Sequence, residues 1–190
     1  MAVDQKHVLV PIGNGTEEME AVITIDVLRR AGAAVTVASV EDDLTVKCSR
    51  GVTIVADTLI KDAGSQYDLI ACPGGMPGAE RLRDSAELLK LVQEQKAADK
   101  LYAAICATPA VFFEAKGIIE GKNATAHPAF SDKLSNQATV KGRVVVDGKL
   151  TTSRGPGTAF EFALALVKQL YGEEKMREVA GPMVMYDYKL

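Results

Sequence analysis

Lys100-Leu-Tyr-Ala-Ala-Ile-Cys-Ala-Thr-Pro-Ala-Val-Phe-Phe-Glu-Ala-Lys-Gly117 decides the fold, because it reads as a strand, one cysteine and then a helix. Leu101 to Ile105 is short and apolar, as a strand buried in a parallel sheet should be. Thr108 and Pro109 are helix-start residues and Gly117 is a helix-stop residue. Cys106 is therefore expected on a sharp strand-to-helix turn at the carboxyl edge of a sheet, aimed at solvent, in a nucleophile elbow. There the backbone N–H groups of the following turn would favour a thiolate, with activated cysteines falling at roughly 3.5–7.5. The alternative is a buried cysteine acting as a small hydrophobe.

Strands and helices alternate on either side of this unit. His7-Val-Leu-Val-Pro-Ile12 is a strand that turns at Gly13-Asn-Gly15. A helix follows, with Met19, Val22, Ile23 and Val27 on its inward face, and closes at Gly32. Val35 to Val40 is the next strand, and Leu44 to Cys48 with Val52 to Ala56 form a hairpin turned at Ser49-Arg-Gly51. Tyr67 to Cys72 is a central strand broken by Pro73-Gly-Gly75, and Ser85 caps a helix carrying Leu88, Leu91 and Val92. Arg143 to Val146 and Leu150 to Ser153 pair around Asp147-Gly148. Thr158 and Glu161 suggest a capping box for a helix with Phe160, Ala163, Leu164 and Val167 inward. This order predicts one α/β domain over residues 1–190, a mostly parallel sheet with helices on both faces.

Composition narrows the function. With 47% hydrophobic and 25% charged residues the chain is an ordinary globular one, and a net charge of −3 without basic clusters argues against nucleic acid. No apolar run is long enough to span a bilayer, and no signal or transit segment is expected ahead of the first strand. Three cysteines without paired spacing argue against a disulfide framework or a zinc site, so no metal is expected and a reducing cytosolic setting fits. Gly74-Gly-Met-Pro-Gly78 lacks the dinucleotide spacing and no phosphate loop occurs, so no cofactor is expected.

Sites in such sheets form where loops leave the carboxyl ends of the strands. Four pieces lie there: Gly13-Asn-Gly-Thr-Glu-Glu-Met-Glu20, Pro73-Gly-Gly-Met-Pro-Gly78, Cys106, and Ala124-Thr-Ala-His-Pro128 after a short strand-like stretch. Gly74 and Gly75 make a plain turn or, lacking side chains, let backbone donors approach an oxyanion; the Gly75 and Ala107 N–H groups are the candidate donors. Glu17, Glu18 and Glu20 suit a helix start whatever the function. Glu20 lies nearest the apolar side, where desolvation would raise its pKa and fit it for acid–base work. His7 starts the first strand at the wrong edge and reads as structural. His127 is either an exposed loop residue or the histidine that assists Cys106. Arg29, Arg30 and Arg50 taken alone are solvated charges. Cys48 and Cys72 read as packing residues, with Cys48 near the hairpin tip open to oxidation.

Taken together, Glu17-Glu-Met-Glu20, Asp26-Val-Leu-Arg-Arg-Ala-Gly32, Cys48-Ser-Arg50, Pro73-Gly-Gly75, Ala103-Ala-Ile-Cys-Ala107, Thr125-Ala-His-Pro128, Thr152-Ser-Arg-Gly-Pro-Gly-Thr158 and Glu161-Phe-Ala-Leu-Ala165 resemble the DJ-1 group of the DJ-1/PfpI superfamily over essentially the whole chain. The resemblance implies a flavodoxin-like sandwich that forms a homodimer. It also implies Cys106 as nucleophile, Glu20 as the carboxylic acid on its sulfur, His127 as the assisting histidine, and Gly75 and Ala107 as oxyanion donors. Arg50 and Arg30 match arginines that approach the site from a partner subunit. The sequence departs from the pattern at Thr108, where the best-known relatives have Gly, and at Val55, where animal members have a second interface cysteine. The tail Met183 to Leu190 is longer and more aromatic than expected. Ala107 stands where protease-type members carry a histidine, which argues against peptide hydrolysis, and the late His-x-Glu of glutaminases is missing.

The resemblance implies a glutathione-independent glyoxalase. Cys106 would attack a small 2-oxoaldehyde such as methylglyoxal or glyoxal to give a hemithioacetal, and Glu20 and His127 would move protons through an enediolate toward lactate or glycolate. The same first step on glycated amines or thiols makes a deglycase. The alternative class is non-enzymatic: a redox sensor or redox-regulated chaperone working through oxidation of Cys106 to sulfinate. The expected compartment is the cytoplasm, with the nucleus as a second one.

Overall fold

The computed structural model describes residues 5–185. The last five residues of the aromatic tail, 186–190, lie outside them. Among the described residues nine strands form, and seven of them make one sheet in the order β5-β2-β1-β6-β7-β9-β8. These are β1 (His7–Ile12), β2 (Ala34–Ser39), β5 (Thr58–Leu59), β6 (Leu69–Cys72), β7 (Leu101–Ile105), β8 (Val144–Asp147) and β9 (Leu150–Ser153). All pairings in this sheet are parallel except β8 with β9. Leaving aside the edge strands β5 and β8, β2-β1-β6-β7-β9 is the 2-1-3-4-5 order of a flavodoxin-like sheet, whose topological switch lies between β1 and β6. The hairpin β3 (Thr45–Lys47) and β4 (Thr53–Val55) is antiparallel and stands apart as its own small sheet.

Because successive strand residues face opposite sides, β1 feeds two cores: Val8, Val10 and Ile12 enter one and Leu9 the other. The first core holds helices α1 (Glu18–Arg30) and α4 (Ala159–Tyr171), through Ile25, Leu28, Phe162 and Leu166. The second holds α3 (Ala86–Ala97), through Leu88 and Val92, with Phe112 and Phe113. A short helix α2 (Gly78–Asp84) precedes α3, and α5 (Glu173–Ala180) follows α4. No helix among the described residues is long and apolar enough to cross a membrane.

Several local expectations change. On α1, Met19 and Val22 are 53% and 50% exposed, Ile23 is half-buried, and the inward stripe is Ala21, Thr24, Ile25, Val27 and Leu28. The helix is rotated so that its acidic first turn, Glu18 and Glu20, is buried with the stripe. On α4, Phe160 is 43% exposed and Leu164 half-buried, while Phe162, Ala163, Leu166 and Val167 face inward. The capping box does not form: Thr158 Oγ1 bonds to Gly155 and Ser153, and Glu161 pairs with Arg143 at 2.7 Å. The segment after Cys106 is a π-helical stretch, Pro109–Glu114, in place of an ordinary α-helix. The Ser85 cap holds, its hydroxyl accepting from Leu88 N–H at 3.2 Å. The stretch before His127 is irregular backbone tied to β9 through Thr125 N–H and Thr152 Oγ1 at 2.9 Å.

Candidate active site

Cys106 sits at the carboxyl end of β7 with φ +67°, a left-handed conformation that costs a non-glycine residue on the order of 1–3 kcal/mol. Two hydrogen bonds hold it there. Its N–H donates to Ser153 O at 3.0 Å, and its carbonyl accepts from His127 N–H at 2.7 Å. The elbow is real, but the side chain is not aimed at open solvent, since Cys106 is only 8% exposed. Thr108 and Pro109 do start the helical stretch, but the Thr108 side chain does not cap it. Thr108 is fully buried, and its hydroxyl donates to Pro73 O at 2.6 Å.

The β6 loop, at the topological switch, is built to let backbone approach backbone. A Cβ on Gly74 would lie 2.5 Å from Cys106 Cβ and 2.8 Å from Ile105 O. Gly75 has φ +90°, and a Cβ there would lie 2.4 Å from both Glu17 N and Gly15 O. Only glycine fits at these two positions. Each of the two consecutive peptide groups is gripped at its oxygen, and its N–H points at the site. The Pro73–Gly74 peptide accepts from Thr108 and donates through Gly74 N–H to Glu20 Oε2 at 2.8 Å. The Gly74–Gly75 peptide accepts from Glu17 N–H at 2.9 Å and directs Gly75 N–H to the Cys106 sulfur, which Ala107 N–H also meets.

Glu20 is completely buried. One oxygen is held by Gly74, Oε1 makes no hydrogen bond of ordinary geometry, and the remaining polar neighbour of the carboxyl is the Cys106 thiol. Desolvation pushes Glu20 up to about 7, against the opposing pull of the Gly74 N–H. The expected depression of the thiol is not met. Burial, and then the Glu20 charge, push Cys106 up to about 12, while the Gly75 and Ala107 N–H groups pull the other way. The two rises have one origin: two acids share a dry pocket that stabilises one negative charge and resists a second. The pair therefore gives up its first proton near neutrality, and a thiolate beside a protonated Glu20 is one form of the singly charged pair.

Glu17 is a component that reading for Ser, Thr, Asp or Asn caps overlooks. Its carboxylate accepts from Glu20 N–H at 2.8 Å, and burial raises its pKa. His127 is half-buried, is joined to the elbow by its backbone, and lies against Gly155. Its Nδ1 accepts from Ala129 N–H at 3.2 Å, which assigns the proton of the neutral ring to Nε2. Within one chain the arginines stay outside the pocket. Arg50 is exposed at the hairpin tip, its N–H donating to Glu18 Oε1 at 2.8 Å. Arg30 pairs with Asp26, roughly 15 Å along α1 from Glu20. Cys48 and Cys72 are buried packing residues. Among the described residues no group of three or more His, Cys, Asp or Glu could hold a metal ion.

Residues 6–169 match the DJ-1/PfpI family. The protein DJ-1 homolog B of Arabidopsis thaliana is 52% identical over 97% of this chain, which spans only 43% of that longer relative. The glutathione-independent glyoxalase DJR-1.2 of Caenorhabditis elegans is 35% identical, with 97% of this chain and 99% of the relative aligned. The solved structure of oxidized DJ-1 from Toxoplasma gondii superposes with a TM-score of 0.93 at 49% identity, covering 96% of this chain and all of that one. A left-handed cysteine elbow, a diglycine loop against it and a buried glutamate beside the sulfur, found in a chain with these likenesses over nearly its whole length, make this protein a member of the DJ-1/PfpI family.

Proposed function

We propose that this protein converts small 2-oxoaldehydes to 2-hydroxycarboxylates without glutathione, methylglyoxal to lactate and glyoxal to glycolate. The observation that carries this reading is Cys106 meeting two backbone N–H donors while sharing its pocket with a glutamate poised at about 7. The name of the worm relative supports it. As the sulfur bonds to the aldehyde carbon, Glu20 takes the thiol proton, and the former carbonyl oxygen is protonated to complete a hemithioacetal. A proton then leaves that carbon and another is delivered to the adjacent carbonyl carbon through an enediolate. Glu20 and His127, with its Nε2 proton, are the carriers. The product is a thioester of the 2-hydroxyacid. Water cleaves it, releasing the carboxylate and restoring the thiol, so the net change is addition of one water. Gly74, Gly75 and Ala107 supply the backbone surface for the charged oxygen. A deglycase would use the same first step on glycated amines or thiols.

Purified protein incubated with methylglyoxal in the absence of glutathione should form lactate. A rate no greater than that of the Cys106→Ser variant would overturn the reading. A second reading, redox sensing or redox-regulated chaperoning through sulfinate at Cys106, is supported by the oxidized state of the Toxoplasma relative. In that case stoichiometric oxidation should switch on suppression of client aggregation that the reduced protein lacks.

The proposed functional unit is a homodimer paired across α1 and the β3–β4 hairpin. Met19, Val22, Val52 and Val55 are exposed apolar side chains on these two elements, flanked by the exposed Arg30 and Arg50. A second copy covering this face would bring those arginines toward the pocket of its neighbour.

A further inference from the structure

The elbow grips the opposite loop through one buried side chain, Thr108. Its hydroxyl donates to Pro73 O at 2.6 Å, and the other end of the same peptide, Gly74 N–H, donates to Glu20 Oε2 at 2.8 Å. Thr108 does nothing else polar that the fold requires: it makes no cap for the helical stretch that follows it. The geometry points to Thr108 as a positioning residue that orients and polarises the Pro73–Gly74 peptide, and through it sets how strongly Gly74 N–H holds the Glu20 carboxylate. The inference rests on the proposed role of the Glu20–Cys106 pair and adds the element that tunes it.

The physical reason is the geometry of a trans peptide. Its C=O and N–H point in opposite directions, so fixing the oxygen on Thr108 fixes the N–H on Glu20. Hydrogen bonding at the oxygen also withdraws charge from the amide and strengthens its N–H as a donor. The effect matters because Glu20 has so few partners. The titratable groups acting on it are Cys106 from the elbow and Glu17 from the start of its own helix, with Arg50 acting on Glu17 in turn. With no cation acting on Glu20 directly, the Gly74 N–H is the largest influence favouring the carboxylate. The neighbouring peptide repeats the arrangement with a backbone donor, Glu17 N–H, in place of a side chain. Thr108 is thus the point in this relay that substitution can reach without touching either acid.

The test is the pH dependence of Cys106 alkylation by iodoacetamide in the full chain, which requires no turnover. Failure to form lactate therefore leaves its outcome intact, and its failure leaves the glyoxalase reading intact. Thr108→Val keeps the volume and removes the hydroxyl, and should move the lower alkylation midpoint upward by about half a pH unit. Thr108→Ser keeps the donor and should restore the wild-type midpoint. In a Glu20→Gln background Thr108→Val should produce no shift, because the group through which it acts is gone. Should the valine variant not fold, Thr108→Ala carries the same expectation. An unchanged midpoint in the variant lacking the hydroxyl, an equal shift in the serine variant, or a shift that survives Glu20→Gln would each overturn the proposal.

Discussion

The backbone N–H of His127 donates to the carbonyl of Cys106 at 2.7 Å, so the histidine loop and the nucleophile elbow are one mechanical unit. That bond, with the one from Cys106 N–H to Ser153 O, holds the cysteine in a left-handed conformation that its own side chain disfavours. Both bonds use main-chain atoms, so the elbow survives changes of the Cys106 side chain.

Cys106→Ser should therefore keep the fold, with a circular dichroism spectrum and melting temperature close to wild type. It should abolish lactate formation, because a serine hydroxyl in this pocket stays un-ionised. Turnover within about tenfold of wild type would exclude a covalent mechanism at this residue.

Glu20→Gln keeps the acceptor for Gly74 N–H and removes proton transfer, so turnover should fall by roughly 10²–10⁴. The same variant has a stability signature. Glu20 in the folded protein titrates at about 7, above its ordinary 4.5, so the folded state holds the extra proton between those values. Stability contributed by this site is full below the unfolded pKa and is lost as pH rises from about 4.5 to about 7, by at most about 3 kcal/mol. Glutamine should thus raise the melting temperature at pH 8 relative to wild type and make little difference at pH 4. Equal effects at the two pH values would show that Glu20 carries no buried charge.

Mild peroxide should add two oxygens at Cys106 before it modifies either other cysteine. Burial raises both thiols, Cys106 to about 12 and Cys48 to about 11, so the order rests on Cys106 alone combining backbone N–H donors at its sulfur with an adjacent base, Glu20, that can take its proton. Cys72 is wholly buried and its thiol is pushed up further still. Peptide mass spectrometry across a peroxide titration, with lactate assays on the same samples, checks both order and consequence. First oxidation at Cys48, or activity that survives full oxidation of Cys106, would count against a single reactive cysteine.

Sedimentation at micromolar concentration should give about twice the chain mass. Replacing Val22 and Val55 together with aspartate should shift the species to monomer, since both side chains are exposed apolar surface on α1 and the hairpin. A wild-type monomer at that concentration would remove the dimer from the proposed mechanism.

The sequence alone determined the alternation of strands and helices, because buried parallel strands are short apolar runs and their punctuation by glycine and proline is local chemistry. It determined the elbow in the same way: Leu101 to Ile105, a single cysteine and a helix-start proline are contiguous in the chain. Tertiary structure decided what the elbow touches. The inward face of α1 could not be read from Met19 and Val22, because apolar residues also occupy exposed faces and only packing against α4 and the sheet selects the buried stripe. Thr108 starts a helical stretch, as its neighbours indicate, but they do not tell what its side chain does. It is a tether because β6 and β7 are adjacent parallel strands whose carboxyl ends bring Pro73 within reach, a contact across 35 residues that no local pattern encodes. The protonation of the site was equally out of reach. A helix start predicts a thiolate of low pKa, but burial beside Glu20 raises both acids, and desolvation belongs to the assembled pocket and to no single residue in it.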